Sequence, residues 1–208
     1  IMLTFGAKMQ KEYGVSFKIL NLGGGFGVRY TEDDPYLDVD ANIAKLGEHV
    51  KRVCEDLEIS VPQIIMEPGR SIVADAGITL YTVGNVKTIK GYKSYVSIDG
   101  GMADNPRYAL YGSKYTALIA NKADKEADFK CTVAGKCCES GDLIGEDIMI
   151  QKPATNDILA VLATGAYNYS MASNYNRLPR PAVVMVKDGK SRVVVKRETF
   201  EDIISKDI

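Results

Sequence analysis

Two short apolar runs that each end in glycine, with one long amphipathic helix between them, constrain this chain more than any other feature. "FKILNL" (residues 17–22) runs into "GGGFG", and "QIIMEPGR" (63–70) runs into its own glycine turn. Between them, "DVDANIAKLGEHVKRVCEDLE" sets Val39, Ile43, Leu46, Val50, Val53 and Leu57 at steps of four and three. That spacing is helical and leaves one apolar stripe. Strand, crossover helix, strand is a βαβ unit, so the two strands are expected to be parallel. Ahead of them, "MLTFGAKMQKEY" carries Met2, Phe5, Met9 and Tyr13 at helical spacing and stops at Gly14.

From about residue 78 the period changes. "ITLYTVGNVKTI", "YVSI", "DFKCTVAG", "DIMI", "ILAVLA", "AVVMVK" and "SRVVVK" are short β-type runs separated by turns. "KDGK" (187–190) between the last two predicts a hairpin, because Asp-Gly accepts the positive φ of a type I′ turn. This half reads as an antiparallel β domain with a short final helix around "ETFEDII".

Composition narrows the function classes. The 208 residues are 46% hydrophobic with a formal net charge of −1 and intermixed signs, which points to no nucleic-acid face and no polybasic membrane patch. No apolar run is long enough to cross a bilayer. Cys54, Cys131, Cys137 and Cys138 lack CxxC spacing, so a reducing cytosol is expected rather than a disulfide framework. His49, the only histidine, is too few for most zinc sites and lies on the flank of the helix stripe, where it reads as a solvated side chain.

Four stretches can build a site. The glycines of "LNLGGGFG" let backbone approach a ligand closely and offer successive N–H groups to an anion, although a plain tight turn would look the same. In "MEPGRSIVADAG", Glu67 ends a strand, and the N–H groups of Gly69 and Arg70 fall where a helix begins, a natural phosphate seat. In "DGGMADNPRYALYGSKY", Asn105 is placed to cap a helical turn with Pro106 at its first position. Arg107 and Tyr111 then share a face at i, i+4, as a carboxylate clamp or as a surface stack. "ATGAYNYSMASNYNRLPRP" holds Tyr167, Tyr169 and Tyr175, which suits a site wall or an interface. A fifth stretch, "CCESGD" (137–142), sets two thiols beside a carboxylate at a spacing that fits neither a disulfide nor a zinc site.

Taken in order, GGGFG, EPGR, DGGMADNPR-ALYG, CESGD and GAYNYSMASNYN resemble the diaminopimelate decarboxylase family, pyridoxal-phosphate enzymes of the alanine-racemase-like group that also holds ornithine decarboxylase. The resemblance covers nearly the whole chain. It implies the last strands of a cofactor-binding (β/α)₈ barrel at residues 1–75 and a β domain at 76–208. It implies that Gly24 and Gly25, with Gly69 and Arg70, hold the cofactor phosphate, and that Glu67 pairs with the pyridine nitrogen. Arg70, Arg107 and Tyr111 would bind the carboxylate at the unreactive end of meso-diaminopimelate, and Tyr167 would contact cofactor and substrate. Cys138, as proton donor, and Glu139 would complete the pocket of a partner subunit in a homodimer, with Cys137 as packing. The family's cofactor-attaching lysine and ring-stacking histidine have no counterpart here, so the chain is expected to be the C-terminal half of an enzyme and inactive alone. Decarboxylases of ornithine, arginine or a carboxylated polyamine are the nearest rivals, but their substrates lack the second carboxylate. A non-catalytic homologue has no need of Glu67, Cys138 and Tyr167 together.

Overall fold

The computed structural model describes residues 1–208 as two units. One comprises Ile1–Arg29 and Asp33–Val73, the other Tyr30–Glu32 and Ala74–Ile208.

In the first unit, α1 (Met2–Tyr13) ends at Gly14, which takes the left-handed conformation with φ 67°. Strand β1 (Ile19–Asn21) and strand β2 (Gln63–Ile65) pair in parallel, Leu20 opposite Ile64, as the βαβ pattern requires. Helix α2 (Val39–Asp56) crosses between them and is capped by Asp38, whose side chain accepts from Ala41 N–H. Leu3, Leu20, Val50 and Cys54 form the core, with Leu46, Val53 and Leu57 against it. The stripe on α2 therefore packs along its C-terminal half, while Ile43 is exposed. The stripe expected on α1 is not the buried one: Met2, Phe5 and Tyr13 are exposed, and Leu3 and Gly6 face inward. Gly6 is there because a side chain would meet the Phe17 ring, the nearest atom lying 1.8 Å from where its Cβ would stand.

The second unit is built on a six-stranded sheet of β3 (Thr79–Ile89), β4 (Lys93–Ile98), β5 (Ala117–Ile119), β6 (Phe129–Ala134), β7 (Leu143–Ile150) and β8 (Ile158–Val161). The strand order is β5-β8-β3-β4-β6-β7. The two outer strands are bridged by Gln151, whose side chain accepts from Ile119 N–H at 2.8 Å. Alternate residues point inward, as the pleat dictates: Tyr81 and Val83, Val96 and Ile98, Cys131 and Val133, Leu159 and Val161. The antiparallel expectation needs one correction, since β4 and β6 pair in parallel. The chain between them (99–128) carries a helical turn and β5, long enough for a crossover. β3 also kinks at Gly84 and Asn85, where the register with β4 shifts and Ser97 Oγ accepts from Asn85 N–H.

The hairpin of β9 (Val183–Lys187) and β10 (Lys190–Val195) turns at Asp188 and Gly189, both at positive φ (51° and 70°), the type I′ signature. A last helix, here α6 (Phe200–Ile204), starts with a capping box between Thr199 and Asp202. The remaining helices are single turns: α3 (Arg70–Val73), α4 (Arg107–Tyr111) and α5 (Asn168–Met171). No helix is long and apolar enough to cross a membrane.

Candidate active site

In the first unit both strands run out into the glycine turns at the same edge. The ladder continues past the strands, Leu22 N–H donating to the Ile65 carbonyl and Glu67 N–H to that of Gly23. Gly24 is required by this approach, because a Cβ there would lie 2.1 Å from the Glu67 carbonyl oxygen. Gly25 has φ 92°, a conformation side chains disfavour. Gly24, Gly25 and Gly69 are exposed, so backbone here is open to a ligand. Glu67 is exposed, and its Oε1 accepts from Asn21 Nδ2 at 2.6 Å, while Asn21 Oδ1 accepts from Gly23 N–H at 2.8 Å. Asn21 thus orients the carboxylate and the glycine turn together. It went unassigned from sequence, although an amide at a strand end, two residues before a glycine, is the available signal. Helix α3 begins at Arg70, but it is one turn long, so its dipole adds little to the phosphate seat expected there.

In the second unit the candidate side chains follow β4, β6 and β8. Beyond β4 the chain folds on Gly101, whose carbonyl accepts from Asp104 and Asn105 N–H. Asp104 in turn accepts from Gly101 N–H and from Tyr81 OH (2.5 Å), and burial raises both its pKa and that of Tyr81 above their ordinary values. Asn105 is not the cap expected of it. Its side chain is fully buried and α4 starts directly after Pro106 with no side-chain cap. The bonded turn at Gly101 directs the amide inward instead.

Arg107 is only 7% exposed. Its guanidinium carbon lies 5.4 Å from the centre of the Tyr111 ring and 5.2 Å from that of Tyr167, cation–π distances for both. It also makes a long bond to Ser113 Oγ (3.4 Å) and lies within hydrogen-bond reach of Tyr115, and it pairs with no carboxylate. Tyr167 takes φ 70° as it leads into α5, and this turn sets its ring over Arg107. Tyr115 and Asn168, both buried and neither assigned from sequence, lie beside this cluster, Tyr115 close to Arg107 and Asn168.

The thiol loop between β6 and β7 separates its two cysteines. Cys137 is half-buried against Asp142, and burial first, then the Asp142 charge, pushes its thiol up to about 11, so it stays protonated. Cys138 is exposed, and its N–H donates to Asn176 Oδ1 at 2.6 Å. Glu139 is exposed beside it, with Oε2 3.4 Å from Tyr175 OH. The second half of the tyrosine-rich stretch therefore supports the thiol loop, and its first half supports Arg107. His49 is an exposed helix side chain 3.1 Å from Arg52. No group of three or more potential metal ligands occurs.

Residues 26–165 match the family described as pyridoxal-dependent decarboxylase, C-terminal sheet domain. The chain is 53% identical over 196 residues to the diaminopimelate decarboxylase of Bacillus subtilis (strain 168), covering 94% of this chain and 45% of the relative. It is 48% identical over 198 residues to that of Staphylococcus aureus (strain COL), covering 95% and 47%. Among solved structures, the crystal structure of diaminopimelate decarboxylase from M. jannaschii in co-complex with L-lysine superposes with a TM-score of 0.89 at 33% identity, covering 99% of this chain and 46% of that one. The chain spans about half the length of the relatives it matches. Fold, sheet domain and sequence agree, and the chain belongs to the pyridoxal-dependent decarboxylases.

Proposed function

We propose that this chain is the C-terminal half of a cytoplasmic, homodimeric enzyme that decarboxylates meso-diaminopimelate to L-lysine and CO₂ with pyridoxal 5′-phosphate. The observation that carries the reading is Arg107: a buried guanidinium held between two aromatic rings, with no carboxylate of the chain paired to it. A buried cation is costly unless an anion meets it, and a planar fork suits a carboxylate. The substrates of the ornithine and arginine decarboxylases offer no such group at their far end.

Pyridoxal phosphate supplies an electron sink for the pair left behind when CO₂ departs. Glu67, aimed by Asn21, would accept a hydrogen bond from the pyridine nitrogen and hold a proton there. The exposed backbone at Gly24, Gly25 and Gly69, together with that of Arg70, would hold the phosphate, and Gly24 fits because nothing larger can stand there. Arg70, Arg107 and Tyr111 would hold the distal carboxylate. Tyr167, over Arg107, would contact cofactor and substrate. Glu139 would accept from the distal ammonium. The exposed Cys138 thiol would give its proton to the substrate carbon in the partner subunit's site. Cys137, turned against Asp142, would have no part in it.

The test is the full-length protein with added cofactor, assayed for CO₂ and lysine from meso-diaminopimelate and in parallel from ornithine and arginine. Turnover confined to diaminopimelate is expected. Cofactor binding without CO₂ release from diaminopimelate would overturn the proposal.

A further inference from the structure

Asp142 ends the thiol loop and is 3% exposed, yet it pairs with no cation. Its two oxygens go to two different segments. Oδ1 accepts from Met102 N–H at 2.5 Å, and Oδ2 accepts from Cys137 N–H at 2.6 Å. The chain is shaped to admit this carboxylate: a Cβ on Gly101 or on Gly135 would stand 2.3 Å from one of its oxygens. Backbone bonds reinforce the junction, Lys136 N–H donating to the Gly100 carbonyl and Gly135 N–H to that of Asp142.

Both segments lead directly to groups of the candidate site. Residue 137 is bonded to Cys138 and precedes Glu139. Residue 101 accepts the N–H bonds of Asp104 and Asn105 that turn the chain into Arg107. We propose that Asp142 is a positioning residue, whose carboxylate sets the thiol loop and the approach to Arg107 in one fixed arrangement. A buried carboxylate is an expensive way to fill space, since an apolar side chain of similar volume would serve packing as well or better. Two backbone donors converging on it fix direction as well as volume, and hydrogen bonds to a charged acceptor are the strong ones. An amide at this position has one accepting oxygen and one NH₂ group, so it would keep one loop and confront the other with a donor.

This inference rests on the decarboxylase reading for its kinetic consequence, but not for its structural one, and the experiment separates them. Full-length wild type, Asp142→Asn and Asp142→Ala are compared by amide hydrogen exchange, by cofactor affinity, and by kcat and KM for diaminopimelate. Loss of a bond to a charged acceptor is expected to speed exchange at Met102 and Cys137 by about tenfold or more, at one of the two in Asp142→Asn and at both in Asp142→Ala. With cofactor affinity unchanged, kcat is expected to fall about tenfold in Asp142→Asn and further in Asp142→Ala, through a displaced Cys138. Should Asp142→Ala not fold, the volume-conserving Asp142→Asn still reads both effects. Unchanged exchange at both amides would overturn the tie itself. Faster exchange with wild-type kcat and KM would overturn the positioning role, leaving Asp142 structural. If the wild type releases no CO₂ from diaminopimelate, it is the decarboxylase reading that fails, and the exchange measurement still decides the tie.

Discussion

In the first unit, the groups assigned to the cofactor stand at open strand ends. Glu67 is exposed and steadied by one bond from Asn21, and the glycine turn is defined by backbone alone. In the second unit, Arg107 is buried between rings, and the loops around it are fixed by buried side chains, Asp104 on Tyr81 and Asp142 on Met102 and Cys137. The cores differ in the same sense. Four buried residues centre the first unit, against twelve in the second. An exposed group contributes chemistry with little stake in stability, whereas a buried charged group is bound up with the packing around it. The two regions should therefore answer mutation differently.

The largest effect is expected at Glu67. Glu67→Gln in the full-length protein keeps the side chain's shape and its bond from Asn21 but cannot hold a proton on the cofactor nitrogen. A fall in kcat of about 10²-fold or more is expected, the scale of removing one preorganised electrostatic partner, with cofactor still bound and the melting temperature unmoved. The loss should sit in kcat because the interaction strengthens as charge develops. A lowered melting temperature would break the contrast between the units, and an unchanged kcat would remove Glu67 from the site.

Arg107→Lys should show the opposite combination. An ammonium cannot reproduce a two-pronged carboxylate contact. KM for diaminopimelate is expected to rise by about 30-fold, equivalent to about 2 kcal/mol for a lost charge-assisted bond. The stack on Tyr111 and Tyr167 weakens as well, and a loss of about 1 kcal/mol there would lower the melting temperature by about 2–4 °C. KM and stability moving together would sharpen the comparison. A changed KM at constant stability would mean that Arg107 is held no more firmly than Glu67.

Much of this arrangement was legible in the sequence, and what was not shares a physical cause. The βαβ unit, the α2 stripe and the Asp188–Gly189 turn rest on periods and turn residues, which are local. The role given to Glu67 rests on the family resemblance, whereas the close backbone approach at Gly24 was legible, because a glycine turn after a strand signals it. Asp142 was not, since nothing in "CCESGD" says that its last residue bonds Met102, forty positions earlier. Asn105 was misread for the same reason, since a cap is a local inference and the bonds that turned its side chain inward come from the fold around Gly101. The parallel β4–β6 pair was missed because pairing between strands separated by a crossover leaves no mark on the pattern of either strand. The α1 stripe failed because helical spacing gives a face and not the neighbour that covers it.

The smallest expected effect lies in the second unit but outside its buried network, and it tests whether burial, rather than membership of that unit, governs the response. Glu198 accepts from the Arg180 side chain (Nε, 2.8 Å), from Arg180 N–H and from Asn174 Nδ2. These bonds, the Arg180 guanidinium first, hold its carboxyl down to about 2, against an ordinary value of 4.5. A carboxylate with a depressed pKa in the folded state stabilises the fold above its unfolded value, and that stabilisation fades as pH falls from 4.5 toward 2. The Arg180 side chain is 41% exposed, however, so solvent screens the pair and its worth at neutral pH is expected to be about 0.3 kcal/mol. Thermal melts of full-length wild type and Glu198→Gln should therefore differ by about 1 °C at most at pH 7, and the two curves should converge steadily below pH 4.5. Activity should not change, since neither side chain belongs to the candidate site. A gap that stays constant down to pH 3 would show that the glutamate acts through packing and not through its charge. A gap at neutral pH as large as that of Arg107→Lys would show that exposure does not separate the two kinds of group.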